Sequence, residues 1–582
     1  MPTKYKKTAR VLFFFTLLLL AGSLAPAIDS PQPLKPRTAP PAPRFDRLHP
    51  NEEILDNLKG YAAAYPDWVR LESIGKTSLG GDTWLLTLTN PATGGELEKP
   101  AMYIDGATHA NEVQGADTVL YTLDFMLKNY GRLKSVTRLM DRATFYFVPI
   151  VSWDSRNKWF HEPSTPSYPR SVQVAIDDDR DGMADEDGPE DLNGDGVITQ
   201  MRKKVPLGQG DYKLDPEDPR RMVRVKADEG EQGNYILLGQ EGIDNDGDGR
   251  VNEDSAGYID PNRTWAYGWQ PRYVQAGSTR YPLQIPETRN IAEWALGKPN
   301  IAAVQSFHNS GRMILRGPGY KAGPYDPSDV KVYDRIGKEG EKILPGYNYW
   351  VIWKDLYTAY GGTTDHFYGI HGAIAFTNEL YGPEQDFDGD GKVSEEEKLK
   401  FNDRLTLGRM FMDWKEFDHP RYGKVEIGGY RSDTGRVPEG WMLQEDCHRN
   451  AAFVLFHASQ LPEIRFGDVT VEKLGHKLWR VQAWVHNDGG IPTVTGIARK
   501  NKIHRPDLAT LKGAKVLSSG VVRNRWFNQV RLQRYRPERL EVDTLDGHGR
   551  KELFFLVEGD GPVNLEYSSV KAGTIRTRVE LK

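Results

Sequence analysis

Two histidines and two glutamates stand where apolar, strand-like runs give way to polar residues. His109 and Glu112 follow the run 101–105, His308 follows 301–307, and Glu379 follows 373–376. Three strand ends are thereby expected to deliver two imidazoles and two carboxylates to one edge of a sheet, where open α/β sheets bind ligands. The spacing of His109-Ala-Asn-Glu112 puts both side chains on one side of a loop-to-helix junction. Two imidazoles and one carboxylate suit zinc and leave it a fourth position for water, the catalytic rather than the structural arrangement. Such a metal lowers the pKa of bound water to about 7 and polarises a carbonyl. A free carboxylate is then needed to take the proton, and Glu379 is the candidate general base. His-x-x-Glu alone is a weak signal, and a capping or core histidine is the bland alternative for His109 or His308 taken singly.

The elements that must position these residues read as an α/β domain. The apolar runs 101–104, 144–150, 301–307 and 373–376 alternate with helical stretches at 52–65, 116–128 and 286–296, and 83–89 has strand composition. This predicts a mixed, mostly parallel sheet flanked by helices. Between 177 and 254 the composition shifts to Asp, Gly and Asn, which reads as an acidic insertion without a core of its own. From 423 to 582, apart from a helical piece at 449–459, short strand-like runs predict a C-terminal β-sandwich domain with no catalytic constellation.

Four Asp-rich loops suggest a second cation. Asp386, Asp388, Asp390, Gly391, Lys392, Ser394 and Glu397 match a twelve-residue calcium loop, with Gly391 at the sharp turn and Glu397 as the bidentate ligand. Three weaker loops lie in the insertion: Asp177, Asp179 and Asp181; Asp191, Asn193 and Asp195; Asp244, Asp246 and Asp248. Their twelfth positions are Gly188, Arg202 and Ser255, so the bidentate glutamate is missing and shared carboxylates such as Asp185, Asp187 or Asp254 must replace it. Solvated acidic loops without an ion are the alternative.

The remaining properties bound the setting. The chain has 582 residues, 38% of them hydrophobic, so more than one domain is expected. A formal net charge of -5 gives no reason to expect nucleic acid as a partner. Lys4, Lys6, Lys7 and Arg10 precede an apolar stretch at 11–20, and Ala25-Pro26-Ala27 offers a cleavage site, so 1–27 reads as an export signal. An uncleaved anchor is the alternative, and no later segment is apolar and long enough to span a membrane. Prolines 31, 33, 36, 40, 41 and 43 mark 28–45 as a stiff linker. The single cysteine, Cys447, allows no intrachain disulfide, which fits a periplasmic or cell-surface bacterial protein. Oligomeric state is not legible.

His109-x-x-Glu112, His308 and Phe376-Thr-Asn-Glu379-Leu380 resemble the zinc carboxypeptidase family typified by carboxypeptidase A, over about 52–417. The resemblance implies one catalytic zinc on His109, Glu112 and His308, with Glu379 as base. It implies that Asn262 and Arg263 hold the substrate's terminal carboxylate, that Tyr357 closes over the peptide end, and that Arg202 stabilises the oxyanion, with Arg156 as its rival. Asn111 stands where the family usually has an arginine, and Thr364, at the position that helps choose the side chain removed, is uncommitted. The expectation is hydrolysis of a C-terminal peptide bond or of a cell-wall peptide amide. The alternatives are a zinc amidohydrolase on non-peptide amides or esters, and a calcium-dependent surface binding protein with an inactive peptidase domain.

Overall fold

The structure is a computed structural model. It describes residues 32–582 except 163–169, 171, 173, 174, 176, 178, 179, 255–258, 383–385, 390, 391, 432 and 528. The export signal and the residues Asp179, Asp390 and Gly391 lie outside the described residues.

The first domain is built on an eight-stranded sheet. Its strands are β1 (Val69–Lys76), β2 (Asp82–Leu88), β3 (Ala101–Gly106), β4 (Thr144–Val148), β5 (Ile301–Asn309), β6 (Met313–Arg316), β7 (Asn348–Val351) and β8 (Ile374–Leu380). The order is β1-β2-β4-β3-β5-β8-β6-β7, and the central four strands β4, β3, β5 and β8 are mutually parallel. Every residue of β3, β4 and β5 is buried, as expected of strands covered by helices on both faces. One face packs under the helices Asn51–Ala64, Gln114–Asn129, Pro327–Ile343 and Gly440–Ser459. The other packs under Pro286–Leu296 and Thr363–His371. β5 and β8 run further than their apolar cores suggest, so His308 and Glu379 lie within the strands rather than beyond them. They are direct partners in register.

The acidic insertion folds with a distant segment. Its strands Gln200–Lys204, Tyr212–Leu214, Met222–Arg224 and Tyr235–Gln240 join Phe411–His419 and Gly423–Tyr430 in a six-stranded sheet. Met201, Val425 and Ile427 form its small buried core. The insertion brings Met201, Leu192, Leu238 and Val251 to this core, and the hairpin 411–430 completes it with Val425 and Ile427, which sequence composition did not reveal.

The domain boundary also differs from the expected 423. Phe453, Val454 and Ala458 of the helix Gly440–Ser459 are buried in the core of the first domain, beside the helix Gln114–Asn129. The β-sandwich begins at Ile464 and stacks a five-stranded sheet on a four-stranded one around its own core, including Trp479, Phe555 and Tyr567. The proline-rich segment is extended but laid on the domain: the Arg37 N–H donates to the Ala64 carbonyl at 2.8 Å, and Leu34 packs on the core. Among the described residues, no helix is long and apolar enough to cross a membrane.

Candidate zinc centre and substrate cleft

The first pair of ligands is delivered by a close contact between backbones. Gly106 ends β3 and Gly115 begins the next helix. A Cβ on Gly106 would lie 2.5 Å from the Gly115 carbonyl carbon, and one on Gly115 would lie 2.9 Å from the Ala107 nitrogen. Only glycines allow that approach, and it folds 107–113 into a tight turn in which the Glu112 N–H donates to the His109 carbonyl at 3.2 Å.

His109, Glu112 and His308 converge at the ends of β3 and β5, all buried. His109 Nδ1 lies 2.9 Å from Glu112 Oε1, His308 Nδ1 lies 2.9 Å from Glu112 Oε2, and the two Nδ1 atoms are 3.2 Å apart. Two imidazole nitrogens turned toward each other and toward one carboxylate form a donor set of the kind zinc takes, and the residues fit the metal. The far side of His109 is held by Asp260, whose Oδ1 lies 2.9 Å from Nε2. A carboxylate there fixes the tautomer that presents Nδ1 to a metal.

Two guanidinium groups lean on the same site. Arg170 donates to Glu112 Oε1 at 2.6 Å, and Arg436 Nη1 is 3.7 Å from that oxygen. The backbone fixes Arg170, because the Ala110 N–H donates to its carbonyl at 3.1 Å. Arg436 donates to the Asn309 carbonyl at 3.1 Å, next to His308.

The charges of the cluster are mutually set. Burial disfavours the charged form of Glu112, but His109 and Arg170 outweigh it and hold the carboxyl well below its usual range. Burial and Arg170 oppose protonation of His109, but Glu112 and Asp260 outweigh them and hold its pKa above the ordinary value. Glu379 moves the other way. Burial, then the nearby Glu112, push it up to about 7, against the pull of His308, Arg170 and Arg436.

The substrate-binding candidates form a second group. Asp260 accepts from the Asn262 N–H at 2.7 Å and starts a short turn at Pro261–Arg263. Asn262 Oδ1 accepts from the N–H and hydroxyl of Thr363 at 2.9 and 3.1 Å, which assigns the other amide atom as the donor nitrogen. Gly361, at φ 66°, lets the chain pass over Arg263: a Cβ there would meet the Arg263 carbonyl at 2.7 Å. Arg263 is buried, with its guanidinium carbon 5.9 Å from the ring centre of Tyr357. Tyr357 is half exposed, as a closing side chain requires. Thr364 is buried at the start of the helix Thr363–His371.

Arg202 is a correction. It lies in the accessory sheet, where its Nε donates to Glu426 at 2.7 Å and its guanidinium stacks 4.1 Å from the Trp414 ring centre. Its contacts are those of a structural ion pair. The rival Arg156 is fully buried and donates to Asn51 and to the His49 and Val113 carbonyls. The guanidinium that reaches the candidate zinc ligands is instead that of Arg170, which sequence reading missed because it sits in a polar stretch without periodicity. Arg436 was missed because it falls beyond the expected domain boundary. Asp260 stood inside the motif Asp260-Pro-Asn-Arg263, but only tertiary contact reveals its partner.

The calcium candidates divide. Asp386, Asp388 and Glu397 bring ligand oxygens within 4.8 Å of one another, and Glu397 also accepts from the Phe387 and Ser394 N–H groups, which holds its pKa down to about 2. Asp191, Asn193 and Asp195 accept from amides of their own loop. Asp244, Asp246 and Asp248 cluster.

Residues 54–158 and 238–399 match the zinc carboxypeptidase family, and the break between them overlaps the insertion. The chain therefore carries a zinc carboxypeptidase domain. Residues 463–580 match a domain of unknown function. Carboxypeptidase D of Homo sapiens is 27% identical over 112 residues, 19% of this chain and 8% of that protein. The inactive metallocarboxypeptidase ECM14 of Ajellomyces capsulatus is 25% identical over 140 residues, 23% of each chain. The chain thus spans under a quarter of the length of these curated relatives. Among solved structures, carboxypeptidase A from Helicoverpa armigera is 18% identical with a TM-score of 0.41, covering 61% of this chain and 70% of that one. Thrombin activatable fibrinolysis inhibitor is 16% identical with a TM-score of 0.42, covering 71% and 74%.

Proposed function

We propose that the chain is an exported zinc-dependent exopeptidase that hydrolyses the C-terminal bond of a peptide, including the peptides of a cell wall. The observation that carries this reading is the pairing of Glu379 with His308 across β5 and β8, beside a cluster that fits zinc and next to Asn262, Arg263 and Tyr357. Zinc bound to His109, Glu112 and His308 would supply Lewis acidity toward the scissile carbonyl and lower the pKa of a coordinated water.

The chain's own residues do the rest. Arg263 and the Asn262 amide bind the substrate's terminal carboxylate, a charge-assisted contact that selects a free C-terminus. Tyr357 covers the bound end and excludes water. Glu379 takes a proton from the attacking water and returns it to the leaving amine; its raised pKa, near 7, suits a group that does both. Arg170 holds the oxyanion. Asp260 keeps His109 in one tautomer. Calcium at Asp386, Asp388 and Glu397 is proposed as structural.

Glu379→Gln is expected to abolish turnover while leaving bound zinc unchanged by metal analysis. A wild-type protein that binds no zinc would favour the calcium-dependent binder. Peptides with amidated C-termini are expected to be poor substrates. Equal cleavage of free and amidated termini would reject the role of Arg263 and favour the amidohydrolase.

A further inference from the structure

One spacing occurs twice in the insertion. Asp177-x-Asp179-x-Asp181-Gly182 runs on to Asp185-Glu186-Asp187, and Asp244-x-Asp246-x-Asp248-Gly249 runs on to Asn252-Glu253-Asp254. The structure lays the ends of the two copies side by side. Asp187 and Asp254 exchange both backbone hydrogen bonds, at 3.2 and 3.1 Å.

The carboxylates then face each other across the two loops. Ligand-capable oxygens of Asp187, Asp246 and Glu253 lie within 4.8 Å of one another, and so do those of Asp181, Glu186 and Asp246. Asp246 belongs to both groups. Asp187 is wholly buried: its Oδ1 accepts from Asn245 at 3.3 Å, and its Oδ2 has no hydrogen-bond partner. Both carboxylate oxygens of Glu186 and of Glu253 are also shielded from solvent, and they face the carboxyls of Asp254 and Asp187 respectively. Burial, and then the facing Asp254 or Asp187, push Glu186 and Glu253 each up to about 7. Buried carboxylates gathered this closely, with unfilled lone pairs, are complementary to a hard divalent cation.

Neither loop suffices alone, because the twelfth position that supplies a bidentate glutamate is Gly188 in one and Ser255 in the other. We infer that the two loops form one composite calcium site, built from Asp181, Glu186 and Asp187 of the first copy and Asp246, Glu253 and Asp254 of the second.

The site clasps the two segments that reach the zinc centre. Val172 pairs with Ile259 in an antiparallel bridge, its N–H donating at 3.1 Å. Two residues before Val172 stands Arg170 on Glu112, and one residue after Ile259 stands Asp260 on His109. The same two segments are thus joined near the zinc ligands and again at the acidic cluster. A cation closing the outer join holds Arg170 and Asp260 in place.

The test uses the full chain, loaded with zinc and freed of calcium by dialysis. Calcium titration by calorimetry is expected to show binding, and hydrogen exchange in 170–187 and 254–260 is expected to slow with zinc content unchanged. Glu186→Gln and Glu253→Gln, on opposite loops, are each expected to weaken the same binding event by about tenfold or more. Asp388→Asn, in the separate third loop, is expected to leave that event unchanged. No calcium binding by the wild-type chain, or insensitivity to both glutamine variants, overturns the site. Variants that each remove a different, independent binding event overturn its composite nature. Binding without slowed exchange at Arg170 and Asp260 overturns the clasp. The clasp rests on the peptidase reading only for its effect on turnover: absent hydrolysis with calcium bound and exchange slowed would count against the peptidase, not against the site.

Discussion

Arg170 and Arg202 separate a guanidinium at the candidate zinc centre from one in a structural ion pair. Arg170 touches the ligand Glu112, whereas Arg202 is paired with Glu426 and stacked on Trp414. Arg170→Met is expected to lower kcat by about a hundredfold or more, the scale of losing one oxyanion donor. Arg202→Met is expected to keep kcat/KM and instead to cost about 1.5 kcal/mol of stability, since it removes a charge-assisted hydrogen bond to the partly exposed Glu426. Steady-state kinetics beside denaturant unfolding of both variants checks the contrast. Asp260 lies one step further out, on His109. Asp260→Asn is expected to weaken zinc about tenfold to a hundredfold, read by competition with a zinc indicator, because His109 loses the acceptor that fixes its tautomer.

At the scale of elements, the helix Gly440–Ser459 shows how burial sets pH dependence. Its His457 is fully buried against the rings of Phe376 and Phe453, and neither ring nitrogen has a hydrogen-bond partner. Burial lowers its pKa from 6.5 to about 3. The unfolded chain therefore takes up a proton between those values while the folded chain does not. Stability is full above the unfolded value and is lost as pH falls toward the folded one. His457→Leu is expected to make stability less sensitive to acid in that window and to leave it equal or higher at pH 7, since it removes two buried unsatisfied nitrogens. Chemical unfolding across pH 4–7 reads both effects; an unchanged slope would mean that His457 titrates normally in the fold.

At the scale of the whole molecule, the β-sandwich is bound into the first domain rather than tethered to it. Asp329, fully buried in the helix Pro327–Ile343, accepts from the Gly496 and Ile497 N–H groups at 2.7 and 2.9 Å. Thr495 donates to the Gly372 carbonyl at 2.9 Å, and buried Lys571 donates to the Ile301 carbonyl at the start of β5. Ile491 and Ile497 belong to the core of the first domain. Asp329→Ala is expected to cost about 3 kcal/mol by orphaning buried donors and to split thermal unfolding into two transitions. A single unshifted transition in calorimetry would show that the interface is not held there.

The sequence by itself determined the α/β core and the three strand ends that carry His109 with Glu112, His308 and Glu379. These are local: apolar runs of strand length end in the residues that matter. Only the tertiary structure decided which arginine reaches Glu112, that 411–430 completes the insertion's sheet, and that Gly440–Ser459 belongs to the first core. The pairing of the acidic copies at Asp187 and Asp254 was equally invisible. Arginines look alike along a polar stretch, and an acidic loop gives no sign of what faces it. Their roles arise from contacts between segments tens to hundreds of residues apart, which periodicity and spacing do not encode.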